Sequence, residues 1–244
     1  MKSILKSIDD LNTQTRQAMA GLLADHFDGV TCSLFEWDLA DKTHAVLLYQ
    51  ATGELIGFST FALYTDTGPD GYPATIVCSG DTIVAPHAWG TRHLPSSWIR
   101  AVHQLHQKTS NSSIYWLLIT SGYRTYRFLP VFVKRYHPSP IQEADAKAIA
   151  CMHRLATERW GEQYDPQVGV VRLDHPQPLR QHLSTVPEER SDDVHIAHFL
   201  RCNPGHSEGD ELVSFASLAE SNLTRAGLRM LHPAKQTDSV GHVP

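Results

Sequence analysis

The stretch from residue 79 to residue 92 decides the fold: Ser79-Gly80-Asp81-Thr82-Ile83-Val84-Ala85-Pro86-His87-Ala88-Trp89-Gly90-Thr91-Arg92. The β-branched run Thr82-Ile83-Val84 predicts a strand, and Pro86 ends it because proline has no N–H for a sheet. Gly90 then predicts a turn, and from Leu94 to Gln107 apolar residues recur at helical spacing. The stretch therefore predicts a strand, a glycine turn and a helix.

A junction of this kind can bind phosphate. The first turn of a helix has free backbone N–H groups and the positive end of the helix dipole, and both attract an anion. An ordinary strand-to-helix connection also needs a turn residue, so this stretch alone supports the two interpretations about equally. The neighbouring segments have to decide between them.

Composition narrows the class of protein. The chain has 244 residues, of which 41% are hydrophobic, so it can bury one substantial core. A formal net charge of -5 argues against a nucleic-acid partner held by a general basic field. No run approaches the roughly 18 apolar residues of a membrane span, and residues 1–10 lack the apolar core of a signal peptide. We expect a cytoplasmic protein without a membrane span.

The cysteines and histidines do not form a recognisable metal motif. Four cysteines lie far apart in the sequence, at Cys32, Cys78, Cys151 and Cys202. This spacing disfavours a disulfide framework and a thiolate zinc site. A second set is closer together, namely His195, His198, Cys202 and His206, but it fits no familiar tetrahedral pattern. Asn203-Pro204-Gly205 already explains that segment as a turn, and we predict no metal site.

Hydrophobic periodicity predicts a mixture of helices and strands along the chain. Helices are predicted at residues 11–27, 35–42, 94–107, 125–136, 144–160 and 223–231. Strands are predicted at residues 45–50, 55–63, 74–78, 82–84, 114–119, 168–173 and 211–218. The first two strands flank a short turn and predict an antiparallel hairpin, whereas the continuous apolar run 114–119 is typical of a strand buried on both faces. Residues 66–72 have the composition of a loop, and residues 232–244 that of a flexible tail.

This order of elements resembles that of the GNAT acyltransferase superfamily. The likeness is closest at Thr82-Ile83-Val84-Ala85-Pro86 followed by Gly90, which is similar to that family's fourth strand, its Val-x-Pro ending and the turn that holds the pyrophosphate of an acyl-CoA. Family members usually have a basic or amide residue and at least two glycines in that turn. Here a single Gly90 follows Trp89, and Arg92 supplies the nearest positive charge. The departure leaves open a donor whose pantetheine is carried on an acyl carrier protein.

The resemblance implies an α/β (α+β) fold with one mixed central sheet flanked by helices. It implies a single GNAT-like domain at residues 1–231, with an N-terminal core at about 11–138 and a C-terminal extension at about 139–231. The chain resembles more closely a subgroup in which several sequence blocks recur, among them Asp38-Leu39-Ala40-Asp41-Lys42, Gly57-Phe58-Ser59-Thr60, Asn203-Pro204-Gly205 and Gly209-Asp210-Glu211-Leu212. It also resembles, more weakly, GNAT-type enzymes that place a fatty acyl chain on a lysine or ornithine side chain of a ribosomally made peptide.

Acyl transfer to an amine needs a bound donor, and the resemblance implies where the donor binds. In the family the fourth and fifth strands part, and their backbone pairs with the pantetheine arm; here Thr82, Ile83 and Val84 would offer that backbone. The pyrophosphate would lie at the turn formed by Trp89, Gly90, Thr91 and Arg92.

The amine must also lose a proton before it attacks, because a lysine-like amine has a free pKa of about 10.4. Asp81 and His87 flank the critical strand and are the candidate bases. Asp81 is equally typical of a turn residue, and His87 of an exposed loop histidine.

A proton must reach the departing thiolate, and Tyr126 or Tyr123 is the candidate acid, close to where the family places a tyrosine. Both are also typical of packed tyrosines. The predicted function is therefore an acyl-CoA-dependent N-acyltransferase, with a catalytically inactive GNAT-like binding module as the alternative. A hydrolase that uses Ser79 or Ser121 is disfavoured, because neither serine lies in a nucleophile-elbow sequence.

Overall fold

The computed structural model describes residues 1–143, 145–190 and 192–233. Its strands are β1 (Lys2–Ser7), β2 (His44–Tyr49), β3 (Leu55–Thr67), β4 (Pro73–Val84), β5 (Ser113–Thr120), β6 (Tyr164–Asp165), β7 (Val170–Val171) and β8 (Glu211–Ser217). Its α-helices are α1 (Thr13–Ala24), α2 (Cys32–Ala40), α3 (His93–His106), α4 (Tyr123–Tyr126), α5 (Phe128–Phe132), α6 (Ala146–Trp160), α7 (Gln181–Ser184), α8 (Val194–Cys202) and α9 (Arg225–Leu231). The predicted helix start at residue 144 and, from residue 234 on, the predicted tail lie outside the described residues.

All of these strands form one mixed sheet in the order β1-β2-β3-β4-β5-β8-β7-β6. Only β4 and β5 pair in parallel, and every other neighbouring pair is antiparallel. The C-terminal strand β8 lies beside β5 inside the sheet, so the C-terminal third extends the sheet begun by the first half. A mixed sheet flanked by helices was predicted and is confirmed. The boundary at about residue 138 stays a prediction.

Three apolar clusters fix the helices on the two faces of the sheet. On one face, α3, α5 and α9 cover the middle strands, and Trp98 and Phe132 lie in this cluster. On the other face, α1 and α2 cover β2 and β3, while α6 packs with Met152 and Leu155 over β4, β5 and β8. Burying both faces in this way is the usual solution for a sheet with two apolar sides.

Several elements differ from the prediction for local reasons. The predicted helix 125–136 is two short helices, because Pro130 has no N–H to donate to the carbonyl of Tyr126 and the chain turns between them. Strand β1 and helix α8 were not predicted. Helix α8 begins where the side chain of Asp193 accepts from the N–H groups of His195 and Ile196, a cap that stabilises a helix start.

Candidate active site

Strands β4 and β5 part halfway along their length. They pair from Ala74 opposite Ser113 to Cys78 opposite Leu117. Beyond that point β4 continues along β3 to Val84, and β5 continues along β8 to Thr120. A wedge-shaped gap therefore opens between two neighbouring strands, as the resemblance to GNAT implies, and one edge of β4 has no strand partner there.

The backbone groups of β4 alternate in direction along the strand, and this alternation determines which of them face the gap. The N–H of Ala85 donates to the carbonyl oxygen of Ile56 at 2.8 Å, so it points toward β3. Because successive residues of a strand point their N–H and C=O groups to opposite sides, Ile83 also faces β3, where it stands opposite Phe58. The prediction that Ile83 offers its backbone to the donor is therefore corrected: Thr82 and Val84 face the gap.

Strand β4 has a β-bulge between Ser79 and Thr82. Ser59 of β3 stands opposite Thr82, whereas Phe61 stands opposite Ser79, so β4 has one extra residue in this interval. Ser79 and Thr82 consequently line the same crevice on the α3 side of the gap. Gly80 and Asp81 occupy the bulge, and bulges commonly redirect a side chain next to an active site.

The bulge directs Asp81 toward α2 on the opposite face. A Cβ on the neighbouring Gly80 would lie 2.4 Å from Cε of Lys42 and 2.4 Å from Oγ1 of Thr60, so only glycine fits there. The side chain of Lys42 is buried, and its Nζ donates to Oδ1 of Asp38 at 2.7 Å. Asp81 is thus placed beside a buried ammonium and a second carboxylate.

The electrostatics of Asp81 suit a proton acceptor. Burial raises the pKa of Asp81 to about 7, the charge of Asp38 raises this pKa further, and Lys42 opposes both. Among the described residues the Asp81 carboxylate has no hydrogen-bond partner. A carboxyl group with a pKa near the working pH can take a proton and give it up again.

Glu211 is a second carboxyl at the gap, and no local sequence pattern assigns it a role. It is the first residue of β8, and its neighbour Leu212 stands opposite Thr120 at the end of β5. Burial raises the pKa of Glu211 to about 8, and the next largest cause is the charge of Asp81. Asp81 and Glu211 therefore titrate as an interacting pair. Its proximity to Asp81 follows from the strand order, which no local sequence pattern reveals.

The structure does not bring His87 to Asp81. His87 is exposed in a short turn after β4, and its Nε2 lies 3.2 Å from Nε2 of Gln50 in the turn between β2 and β3. This position is next to β3 and away from the gap. Of the two candidate bases, Asp81 is the one that the fold places at the parted strands.

The two candidate tyrosines differ in their surroundings. Tyr126 is fully buried, and its hydroxyl donates to the carbonyl oxygen of Pro138 at 2.7 Å. Its ring packs on Phe199 of α8 at 5.5 Å, and burial raises the pKa of Tyr126 far above its usual value. These contacts hold Tyr126 in the core and give its hydroxyl a partner, and its role as acid stays a prediction.

Tyr123 begins α4 directly after β5 and is 1% exposed. Its hydroxyl has no hydrogen-bond partner among the described residues. A buried hydroxyl without a partner is costly, and of the two tyrosines only Tyr123 has a proton that is free to be donated.

The turn after β4 has the features that an anion needs. Gly90 has a φ of +81°, a conformation that favours glycine. Within the described part of the chain, the N–H groups of Gly90, Arg92, His93 and Leu94 donate no hydrogen bond, whereas the N–H of Thr91 donates to Ala88 at 3.4 Å. Arg92 is exposed at the start of the 14-residue helix α3. Free N–H groups at the positive end of a helix fit a phosphate group.

The C-terminal part of the chain covers the mouth of the gap. Leu179 forms a β-bridge with Phe27 after α1, and its Cδ1 lies 3.0 Å from where a Cβ on Gly122 would be. The guanidinium of Arg124 lies over the rings of Trp89 and Tyr123, at 5.0 and 4.7 Å. The mouth is therefore bordered by the ends of α1, β4 and β5.

Two further classes of site find no support in residues 1–143, 145–190 and 192–233. No group of three or more His, Cys, Asp or Glu side chains there is arranged to hold a metal ion. Ser79 accepts a hydrogen bond from the indole of Trp116 at 2.6 Å, and it has no histidine partner among these residues. Helices long and apolar enough to cross a bilayer are also absent from this part of the chain.

Comparison with known proteins gives distant structural matches. No protein-family model matches the chain, and no curated protein matches its sequence. Tetrahymena GCN5 is 10% identical over 68% of this chain and 89% of that one, with a TM-score of 0.43. The GNAT family N-acetyltransferase YhbS of Escherichia coli, solved with CoA, is 14% identical over 52% of this chain and 68% of that one, with a TM-score of 0.38.

A third match is an Enterococcus faecalis protein described as a probable N-acyltransferase. It is 12% identical over 52% of this chain, with a TM-score of 0.39, and the match spans only 32% of that protein's own length. Because these similarities are low, the function of this chain has to be inferred from its own geometry.

Proposed function

We propose that this chain is a GNAT-type N-acyltransferase, which moves an acyl group from an acyl-CoA, or from a carrier-protein thioester, to a primary amine. The parting of β4 and β5 beside a helix start with unpaired N–H groups is the observation that carries the proposal. A pantetheine arm suits the free edge of β4 as an added strand, pairing with the backbone of Thr82 and with the N–H of Val84, because the carbonyl oxygen of Val84 already accepts from the indole of Trp89. Its diphosphate suits the N–H groups of Gly90 and His93, with Arg92 nearby.

The reaction joins the amine nitrogen to the thioester carbonyl carbon and breaks the carbon–sulfur bond. The attacking amine must be neutral, so its proton leaves for a base, and we assign that role to Asp81. The raised pKa of Asp81 matches a base that works near neutral pH. The crevice for the thioester and the Asp81 carboxylate lie on opposite faces of β4, and the gap connects them. The amine therefore approaches from the α2 side.

The departing thiolate takes a proton in the same reaction. We assign the hydroxyl of Tyr123 as the donor of that proton. This hydroxyl follows the end of β5 and has no hydrogen-bond partner among the described residues. Donation to sulfur would give this buried hydroxyl the partner that it otherwise lacks.

The acceptor is a primary amine, and the Asp81–Glu211 pair suits a group that arrives as an ammonium ion. A lysine or ornithine side chain of a peptide meets this requirement, as does a small free amine. The finer prediction of peptide modification stays a prediction, and the test must include both kinds of acceptor.

Mass spectrometry of reactions with purified protein tests the proposal. Mixtures would combine a panel of acyl-CoAs with small amines and with peptides that contain lysine or ornithine, and transfer adds the mass of the acyl group to one acceptor. CoA should also raise the melting temperature once its concentration exceeds the Kd. Absence of product together with no thermal shift would overturn the proposal. A thermal shift without product for any pair would favour the GNAT-like binding module instead.

A further inference from the structure

The crevice on the α3 side of the gap is almost filled by side chains. Its free volume is about 20 Å³, which is room for about one water molecule. Most of its wall is apolar, formed by Leu94, Trp98, Trp116, Leu118, Phe128 and Phe132. Interiors packed this tightly yield little space without moving a ring.

Trp116 closes the end of the crevice where β4 and β5 begin to part. It stands opposite Val77, one position before the last pair of the two strands. Its indole N–H donates to Oγ of Ser79 at 2.6 Å, and both side chains are buried. The rings of Trp98 and Phe132 lie 4.7 and 5.9 Å from its own. Trp116 is thus fixed at the narrow end of the gap by its hydrogen bond to Ser79 and by packing against two aromatic rings.

This inference rests on the proposed function and defines its donor more closely. With the diphosphate at the turn after Val84, the pantetheine arm runs back along β4 toward Ser79, so the acyl group points at Trp116. We infer that Trp116, held by Ser79, is a specificity-determining residue that limits the acyl group to a short chain. A long chain would have to displace the indole, which leaves its N–H and the Ser79 hydroxyl unpaired in the interior. A fatty acyl donor is therefore disfavoured.

Steady-state kinetics with acetyl-CoA and octanoyl-CoA test the inference. Wild-type protein should prefer acetyl-CoA by tenfold or more in kcat/KM, since a filled pocket discriminates by about tenfold or more per methylene. Trp116→Ala should reduce that preference at least tenfold by raising the rate with octanoyl-CoA. Trp116→Phe keeps a ring but removes the N–H, and it should also reduce the preference for acetyl-CoA. This second variant keeps the test valid if the alanine variant does not fold.

A matched control is Tyr115→Ala, which truncates the adjacent aromatic residue on the other face of β5, where it stacks on Phe215. Its acetyl-to-octanoyl preference should equal that of wild type. The inference is overturned if wild type uses both donors equally well, or if a folded Trp116 variant keeps the wild-type preference. Turnover with neither donor, together with no thermal shift on addition of CoA, would instead overturn the proposed function, so the two failures are distinguishable.

Discussion

The indole N–H of Trp89 donates to the carbonyl oxygen of Val84 at 2.6 Å, and this bond ties the turn before α3 to the free edge of β4. Nε2 of His26, after the end of α1, lies 3.2 Å from the same oxygen. The guanidinium of Arg124 covers the Trp89 ring. The end of β4, the turn at Gly90 and the start of α4 are thus held together at the mouth of the gap.

Trp89→Phe should weaken binding of the acyl donor about two- to tenfold without a comparable loss in kcat. The variant keeps the ring over Arg124 but removes the N–H, and one hydrogen bond contributes about 0.5–1.5 kcal/mol. Without that bond the turn that carries Gly90 and Arg92 is less fixed. Calorimetric titration with CoA and the KM for acyl-CoA measure the change. Trp37→Phe is the control, since Trp37 is 74% exposed on α2. An unchanged Kd for Trp89→Phe would contradict the prediction.

Asp81→Asn should slow transfer at neutral pH by about 10²- to 10⁴-fold, the usual effect of removing a general base. Because the base works only when deprotonated, kcat/KM of wild type should rise with pH up to the raised pKa of Asp81, about 7. The asparagine variant should lack this limb and recover rate only at alkaline pH, where free amine is more abundant.

The matched control for this experiment is Asp66→Asn, which removes a carboxylate that pairs with Arg154 at 3.0 Å outside the gap. Its pH–rate profile should follow that of wild type. Full activity of Asp81→Asn at pH 7 would remove Asp81 from the role of base.

The double variant Asp81→Asn/Glu211→Gln should become more stable than wild type as the pH rises. Both pKa values are raised on folding, to about 7 and about 8, so the folded protein holds protons that the unfolded chain has released. The stability that these carboxyls contribute is fully present below their ordinary pKa values of 3.8 and 4.5. It is lost as the pH rises through their raised pKa values. The amide variants cannot ionise and keep their stability.

Melting temperatures by circular dichroism between pH 4 and pH 8 measure this effect. The difference between the variant and wild type isolates the pair, because several histidines whose pKa is lowered by burial also make stability depend on pH. The control variant replaces two exposed carboxylates, those of Asp25 and Glu54, and leaves the Asp81–Glu211 pair intact. A difference in melting temperature that does not grow with pH would show that folding does not raise the pKa values of the two carboxyls.

Part of this site was predictable because its signals are local. The β-branched run Thr82-Ile83-Val84, Pro86 and Gly90 each restrict the backbone at their own position. The apolar run in β5 likewise predicted a central strand, and the structure places it between β4 and β8. The strand, turn and helix therefore follow from the residues themselves.

The remaining features depend on distant parts of the chain. The bulge exists only through the register of β4 on β3, where three steps along β4 match two along β3. Glu211 reaches Asp81 only because β8 inserts beside β5. Strand β1 has two lysines among six residues and pairs at the sheet edge with β2, so it lacked the apolar alternation of a typical strand. These relationships arise from tertiary pairing, which overrides local preference.

Gly80→Ala should destabilise the protein by about 1–3 kcal/mol, the usual cost of overfilling a packed site. The added methyl would meet the buried Thr60 hydroxyl and the Lys42 stem, each at 2.4 Å, and relief requires the bulge that directs Asp81 to move. Activity should therefore fall together with stability. The control is Gly21→Ala in α1, where a Cβ meets nothing within 4 Å and alanine should raise stability by about 0.5–1 kcal/mol. Urea denaturation measures both variants. If Gly80→Ala matches wild type in stability and rate, the bulge is not the constraint that positions Asp81.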